Sequence, residues 1–373
     1  MRALTHPRVA LVLAIVPMLV ACGVLLDVPD DPATAPDRVD GSGEGAVVQE
    51  GGPVDPDATR ADAGGDACAM AAACAPERLA TLSGGVLRLV VAGSSLYAGH
   101  MGTSVSQVVS LSSAAPGPVL ALDPQATVPD NFGGDSNIAV DSSGVIYWGT
   151  PNGLRRREPD AGPDASTDAG VASLSALGSP VAGVRIADGR LHFTVNDPLA
   201  VPAPNFGQIR SCALPGCTDL QTAVAVRYPL DVIAIGGLRW WLGATESDAT
   251  VVFRKIGVVF PGVQNSPSRM ATDGQRIFWS TSDALRMFTI GTDTLTDVAL
   301  TPSGSRFNGV AVDPGGTVYV TQQSNVLRCT LAAGQCSFTT IATTAGTAND
   351  VAADATHVYW GTSDGSVWRL RKP

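Results

Sequence analysis

The chain of 373 residues holds only two lysines, Lys255 and Lys372, and four histidines. Its formal charge of −10 is unevenly placed: residues 1–22 carry +2 from Arg2 and Arg8, and residues 23–76 carry −9 from eleven acids against Arg38 and Arg60. The remainder is close to neutral and offers no electrostatic footprint for nucleic acid. Its one basic cluster, Arg155 to Arg157, reads as a solvated strand end. Linear signatures of catalysis are also missing: there is no H-E-x-x-H, no Walker loop, no G-x-S-x-G elbow and no zinc ribbon. The acidic runs never show the D-x-[DN]-x-[DN]-G spacing of a calcium loop, so they read as solvated linker. No cofactor and no metal site is expected.

What is present in quantity is glycine (41) and proline (26), together with 45% apolar residues. This points to a turn-rich, all-β, extracytoplasmic protein. Arg2 and Arg8 precede an apolar run from Val9 to Val20, broken by Pro17 and ending in Leu19-Val20-Ala21-Cys22. A charged start followed by about a dozen apolar residues is a secretory signal rather than a membrane span. From Asp27 to Ala75 the chain turns to Asp, Pro, Gly and Ala without periodicity, a composition that cannot offset its ordering entropy. As a coil of about 45 residues it would hold a domain about 35 to 40 Å from an anchor. The expected organisation is therefore a signal over 1–21, a tether over 22–75 and a folded domain over 76–373. A similar run, Asp160 to Gly170, reads as a surface loop.

The folded domain repeats. An apolar strand, a turn marked by Asp or Gly and an aromatic strand recur around positions 97, 147, 192, 239, 278, 319 and 359, as in NIAVDSSGVIYWGT, GVAVDPGGTVYVT and DVAADATHVYWGT. The spacing is 39 to 50 residues. A second landmark, an apolar residue followed by Arg, comes after six of the seven, at Arg155, Arg210, Arg254, Arg286, Arg328 and Arg369. Such a period with strand patterning predicts a β-propeller of seven four-stranded blades, six or eight being the alternatives. In each blade a short small-residue strand would line the centre. Asp141, Asp188, Asp273, Asp313 and Asp354 would cap the turns that follow it. Trp148, Trp240, Trp279 and Trp360 would pack between blades. After Tyr359 the chain supplies only one more strand, GSVWRLRKP, whereas PERLATLSGG near Leu79 resembles the outer strand FTTIATTAGT. Residues 77–82 are expected to pair with 366–371 and close the ring, removing two sheet edges.

Apart from Cys22, the cysteines form three local pairs: Cys68 with Cys74, Cys212 with Cys217, and Cys329 with Cys336. The last two span a turn between antiparallel strands, within bridging distance. In an oxidising compartment these read as disulfides worth about 2 kcal/mol each for such short loops, with two-Cys zinc knuckles as the rival.

Three resemblances add to this reading. Leu19 to Cys22 resembles the lipobox of bacterial lipoproteins, which implies lipidation of Cys22 after removal of the preceding peptide. Gly23 in place of Asp then favours the outer membrane, facing the periplasm or the cell surface. An uncleaved anchor extending through Leu26 and an ordinary secretory signal are the alternatives. GVAVDPGGTVYVTQQSNVLRC resembles the NHL repeat, and IYWGTPNGLRR and VYWGTSDGSVWRL resemble the YWTD repeat of receptor propellers, although the final Asp of that motif is absent. Some related propellers are enzymes with metal in the central channel, but His100, His192 and His357 fall in or beside the aromatic strands, and no catalytic residue carries over. The expected function is a monomeric, lipid-anchored binding or scaffold module for a protein or glycan. The alternative is an extracytoplasmic hydrolase, lactonase or lyase acting at the channel mouth. Polar loop residues on one face form the candidate site: Asn152, Asn196, Asp197, Glu246, Asp248, Asp283, Gln322, Gln323 and Asp364, with Asn308 and Asn349 from inter-blade loops.

Overall fold

The computed structural model describes residues 75–100, 104–110, 120–121, 138–150, 152–158, 171–176, 179–196, 207–244, 250–254, 268–300 and 305–372. The signal, Cys22, the tether and the Cys68–Cys74 pair lie outside them. All the described elements are strands or turns. After β1 (Glu77–Thr81), one sheet holds β2 (Val86–Ala92), β3 (Ser95–His100), β4 (Ser104–Ser110) and β5 (Leu120–Ala121). A second holds β6 (Ile138–Val140), β7 (Ile146–Thr150), β8 (Gly153–Arg157) and β9 (Val171–Ala176). A six-stranded sheet follows: β10 (Val181–Ala187), β11 (Arg190–Asn196), β12 (Gly207–Ala213), β13 (Gln221–Ile235), β14 (Leu238–Ala244) and β15 (Thr250–Arg254). Then come β16 (Met270–Thr272), β17 (Arg276–Ser280), β18 (Ala284–Thr289) and β19 (Thr294–Leu300). The next four are β20 (Phe307–Val312), β21 (Val318–Gln322), β22 (Asn325–Ala332) and β23 (Gln335–Thr343). The last are β24 (Ala348–Ala353), β25 (His357–Thr362) and β26 (Ser366–Arg371). Every pairing is an antiparallel meander, and innermost strands of successive sheets pack on one another until β24 packs back on β2. The fold is a β-propeller.

The chain ends meet as the sequence implies. β1 pairs with β26, with Glu77 opposite Arg369 and Thr81 opposite Ser366. Leu79 and Leu82 are buried with Val86, Leu96 and Tyr359, and Arg369 Nε donates to Glu77 at 2.8 Å. Lys372 ties the last sheet to the one before, reaching Asp313 Oδ2 at 2.5 Å and lying 5.1 Å from the centre of the Tyr319 ring.

The six-stranded sheet departs from the expectation of seven separate four-stranded ones. Val226, the last residue that β13 pairs with β12, stands opposite Gly207, and from Arg227, opposite Ala244, β13 pairs with β14 instead, with a register shift before Asp231. Pro229 sits at the crossover, where its missing N–H breaks neither ladder. One 15-residue strand therefore serves as the outer strand of one meander and the inner strand of the next. The region that would supply a further strand after β15, residues 255–267, lies outside the described residues.

Register also corrects one landmark. Ile138 stands opposite Trp148, Met270 opposite Trp279 and Val351 opposite Trp360, but Val232 stands opposite Trp241. In the fourth repeat the tryptophan at the shared step is thus Trp241, and Trp240, not position 239, is the aromatic landmark. All five indoles are buried between sheets, as for Trp240 with Met270, Trp279 and Phe288. The residue after the tryptophan is glycine in two repeats for a steric reason. A Cβ on Gly361 would lie 2.2 Å from Val86 Cγ1, and one on Gly149 would lie 2.4 Å from the Val181 carbonyl oxygen, because the next sheet begins there.

Four of the five aspartates after the innermost strands cap turns; Asp188, itself in the turn with φ of 52°, instead accepts from the Gly237 amide of the next repeat at 3.3 Å. Asp354 Oδ1 accepts from the amides of Thr356 and His357 at 2.6 and 2.7 Å, and Oδ2 accepts from Tyr359 Oη at 2.7 Å. Asp141 and Asp313 repeat this with Tyr147 and Tyr319. In the repeat with Phe278 in place of tyrosine, Arg276 Nε supplies the second bond to Asp273. Burial works to raise the Asp354 carboxyl pKa, but the bonds from Tyr359 and the two amides outweigh it and hold the group below the usual carboxylate range. Asp273 and Asp313 are lowered in the same balance. A carboxyl depressed in the folded state stabilises fully above its unfolded pKa and loses that contribution as pH falls through the folded value. Asp354→Ala is expected to lower the thermal midpoint at pH 7 by about 2 to 4 °C, at roughly 1 kcal/mol for the lost bonds. The gap from wild type should close near pH 2, and melts at both pH values check it.

The disulfides Cys212–Cys217 and Cys329–Cys336 are formed, with Cα separations of 4.7 and 5.2 Å. The first is joined to the preceding sheet by Arg156, whose Nη1 donates to the Pro215 carbonyl at 2.9 Å.

Candidate functional site

Seven inner strand segments, from β2, β6, β10, the second half of β13, β16, β20 and β24, surround an axial cavity of about 350 Å³. It is lined by partly exposed aliphatic residues such as Val90, Val91, Val140 and Ile186 together with Arg88, Arg185 and Thr272. The chemistry is concentrated at one level. In each repeat the residue just before the innermost small-residue run occupies one step: Arg88, Gly183, Asp231, Arg269, Gly309 and Asp350, with Asn137 outside the described residues. This step lies at the channel end that carries the turns into the innermost strands and out of the aromatic ones, since Val86 stands opposite His100 and Phe307 opposite Gln322.

The two aspartates knit neighbouring sheets. Asp231 Oδ2 accepts from the Met270 amide at 3.2 Å, and Asp350 Oδ2 accepts from the Leu89 amide at 2.8 Å. The step before each is glycine because a Cβ on Gly183 or Gly309 would come within 2.8 Å of the Asp231 or Asp350 Cα. Arg185, two residues after Gly183, reaches Asp231 at 3.0 Å. Arg269 lies 3.6 Å from Asp350 and donates to the Leu87 carbonyl. Three arginines thus face two carboxylates. The Arg88 side chain has neither a hydrogen-bond nor an ion-pair partner among the described residues. Burial, followed by repulsion from Arg185, pushes its pKa down to about 10, so the guanidinium keeps its proton at neutral pH.

The loop residues singled out in the sequence are placed variously on this face. Asp283 accepts from Thr281 Oγ1 at 2.7 Å; Asp364 accepts from Thr362 Oγ1 and from the Ser366 amide; the Asn152 amide donates to Thr150 Oγ1 at 3.3 Å. These three shape their own turns. Gln323 is exposed with φ of 52°, and its carbonyl accepts from the Ala348 amide. Gln322 ends β21 beside it, its Nε2 buried without a partner. Asn196 is buried, with Oδ1 unsatisfied. Asp197, Glu246 and Asp248 lie outside the described residues. Asn308 and Asn349 are inter-blade ties: their Nδ2 atoms donate to the Ala348 and Val86 carbonyls at 3.0 and 2.9 Å. The ring of Arg88, Asp231, Arg269 and Asp350 escaped sequence reasoning. Its signal, a charged residue directly before a small apolar run, is visible only once the repeats are set in register.

The histidines are not assembled. His192 is buried, accepts from Arg239 Nε at 3.2 Å, and is pushed down to about 4 by burial and the Arg239 charge. His357 bonds Thr356 at the opposite end of the aromatic strand from the mouth. Among the described residues no group of three or more His, Cys, Asp or Glu side chains is poised to hold a metal ion.

No protein-family model matches the chain, and no curated protein matches it. Solved structures do. The WD40 β-propeller domain of Doa1 superposes with a TM-score of 0.59 at 13% identity, over 80% of this chain and 97% of that one. Virginiamycin B lyase from Staphylococcus aureus superposes with a TM-score of 0.55 at 13% identity, over 80% and 99%. The extracellular domain of the hybrid two-component system BT4673 from B. thetaiotaomicron superposes with a TM-score of 0.53 at 10% identity, over 80% and 40%. At these identities the likeness is one of fold.

Proposed function

We propose that the chain is a lipid-anchored, extracytoplasmic propeller that acts as a binding module, presenting its channel-mouth face to a protein or glycan of the cell envelope. In this reading Cys22 carries the lipid at the outer membrane, the acidic segment spaces the domain from it, and the blades are of NHL or YWTD type. The six-stranded sheet counts as two blades sharing β13, which makes seven. The observation that carries the binding reading is the charged ring at the mouth. Asp231 is held by Arg185 and Asp350 by Arg269, and neither carboxyl is placed as a general base beside a nucleophile. The lyase neighbour keeps a channel-mouth enzyme as the alternative.

The full chain should incorporate radiolabelled palmitate, and Cys22→Ser should abolish the label and release the chain from the membrane fraction. Extracted in detergent, it should co-isolate one envelope component at constant stoichiometry, with or without chelator. Labelling that survives Cys22→Ser, or metal-dependent turnover of an ester or lactone, overturns the proposal.

A further inference from the structure

Beneath the mouth the ring holds one more positive charge than negative, and the surplus is localised. Arg185 is committed to Asp231 and to the Met270 carbonyl, and Arg269 to the Leu87 carbonyl and Asp350. Arg88 makes no hydrogen bond or ion pair among the described residues, in a cavity that most of its neighbours line with aliphatic residues. The Arg88 side chain is half-buried and feels Asp350 and Asp231 without a direct bond to either, and a partly desolvated guanidinium with free donors suits an anion. The planar fork of donors on arginine matches a carboxylate in a two-point contact.

We propose that the axial cavity binds a small organic monocarboxylate, its carboxylate on the Arg88 guanidinium and its apolar remainder against the partly exposed Val90, Val91, Val140 and Ile186. Charge selects the class. One net positive charge is neutralised by one negative charge, whereas a phosphate dianion would be repelled by Asp231 and Asp350, which flank the site from two sides. The remainder is apolar, because past the ring most of the lining residues are aliphatic. A cavity of about 350 Å³ lies at the lower end of the range that holds small ligands. This site shares Arg88 with the charged ring on which the partner-binding reading rests, but its test reads a small acid rather than a partner, so the two can fail separately.

The test is a thermal-shift titration of the full chain in detergent with acetate, butyrate, hexanoate and octanoate. Hexanamide serves as the uncharged control and inorganic phosphate as the dianion. Butyrate or hexanoate should raise the midpoint with a saturable dependence, and hexanamide and phosphate should not. Arg88→Met should abolish the shift, and without ligand it should melt no lower than wild type because a partly desolvated charge without a hydrogen bond has been removed. Arg88→Lys keeps the charge but loses the fork, so it should retain the shift with affinity weakened about tenfold, and it covers the case in which Arg88→Met does not fold. An equal response to hexanamide or a larger one to phosphate overturns the inference. So does the absence of any shift across the four acids, or an Arg88→Met protein that melts lower yet still responds.

Discussion

A chain lacking residues 77–82 is expected to melt about 10 °C or more below the intact protein. Deletion strips Leu79 and Leu82 from the core they share with Val86 and Leu96 and leaves the β26 edge open. Each leucine is worth about 1.5 to 3 kcal/mol of burial, and each kcal/mol moves the midpoint of a large domain by about 2 to 4 °C. The exposed edge adds a second readout, because an unpaired strand is a template for association. Calorimetry and light scattering on the two proteins decide the matter. An unchanged midpoint without aggregation would show that β1 is an accessory, and that the ring is held by its inner strands alone.

Asp231→Ala should be nearly as damaging, although the change is only a few atoms. The carboxylate pairs with Arg185, receives the Met270 amide and bonds its own neighbour Val232, so it links the inner strands β10, β13 and β16. Removing one partner of a buried pair leaves the other charge uncompensated, at about 3 kcal/mol or more and a midpoint lower by roughly 6 to 10 °C. Asp231→Asn, which keeps the acceptor oxygen, should lose less. The double change Asp231→Ala with Arg185→Leu should recover part of the loss, because the orphaned guanidinium is then gone. A single-mutant midpoint within about 2 °C of wild type would show that water in the channel solvates Arg185 well enough to make the pair dispensable.

Much of the architecture is legible in the sequence because the repeat writes it several times. Tyr147, Tyr319 and Tyr359 recur with the aspartates they bond, so strand, turn and capping roles reinforce one another. Ring closure is legible because β1 copies the outer strand of another blade. The shared strand β13 is not: its residues read as two strands, and only Pro229 hints that one continuous strand changes partner there. The charged ring is hidden for a different reason. Each blade supplies one residue to it, and arginine, aspartate and glycine follow one another without a common type, so chemistry assembled across blades leaves no local motif. Conversely, Asn152, Asp283 and Asp364 are conspicuous in sequence because the turns between β7 and β8, β17 and β18, and β25 and β26 require polar caps.

The shared strand also has a kinetic consequence. Between β23 and β24, residues 344–347 separate the outer strand of one meander from the inner strand of the next, so one can open while its neighbour stays closed. Along β13 the backbone amides on both sides of Pro229 belong to one rod, and fraying on either side pulls on the other. Amide exchange in β10–β12 and in β14–β15 should proceed as one cooperative unit, slower and steeper in denaturant than in the flanking sheets. The same continuity makes residues 226–231 the poorest place in the domain for a loop insertion or a permuted terminus.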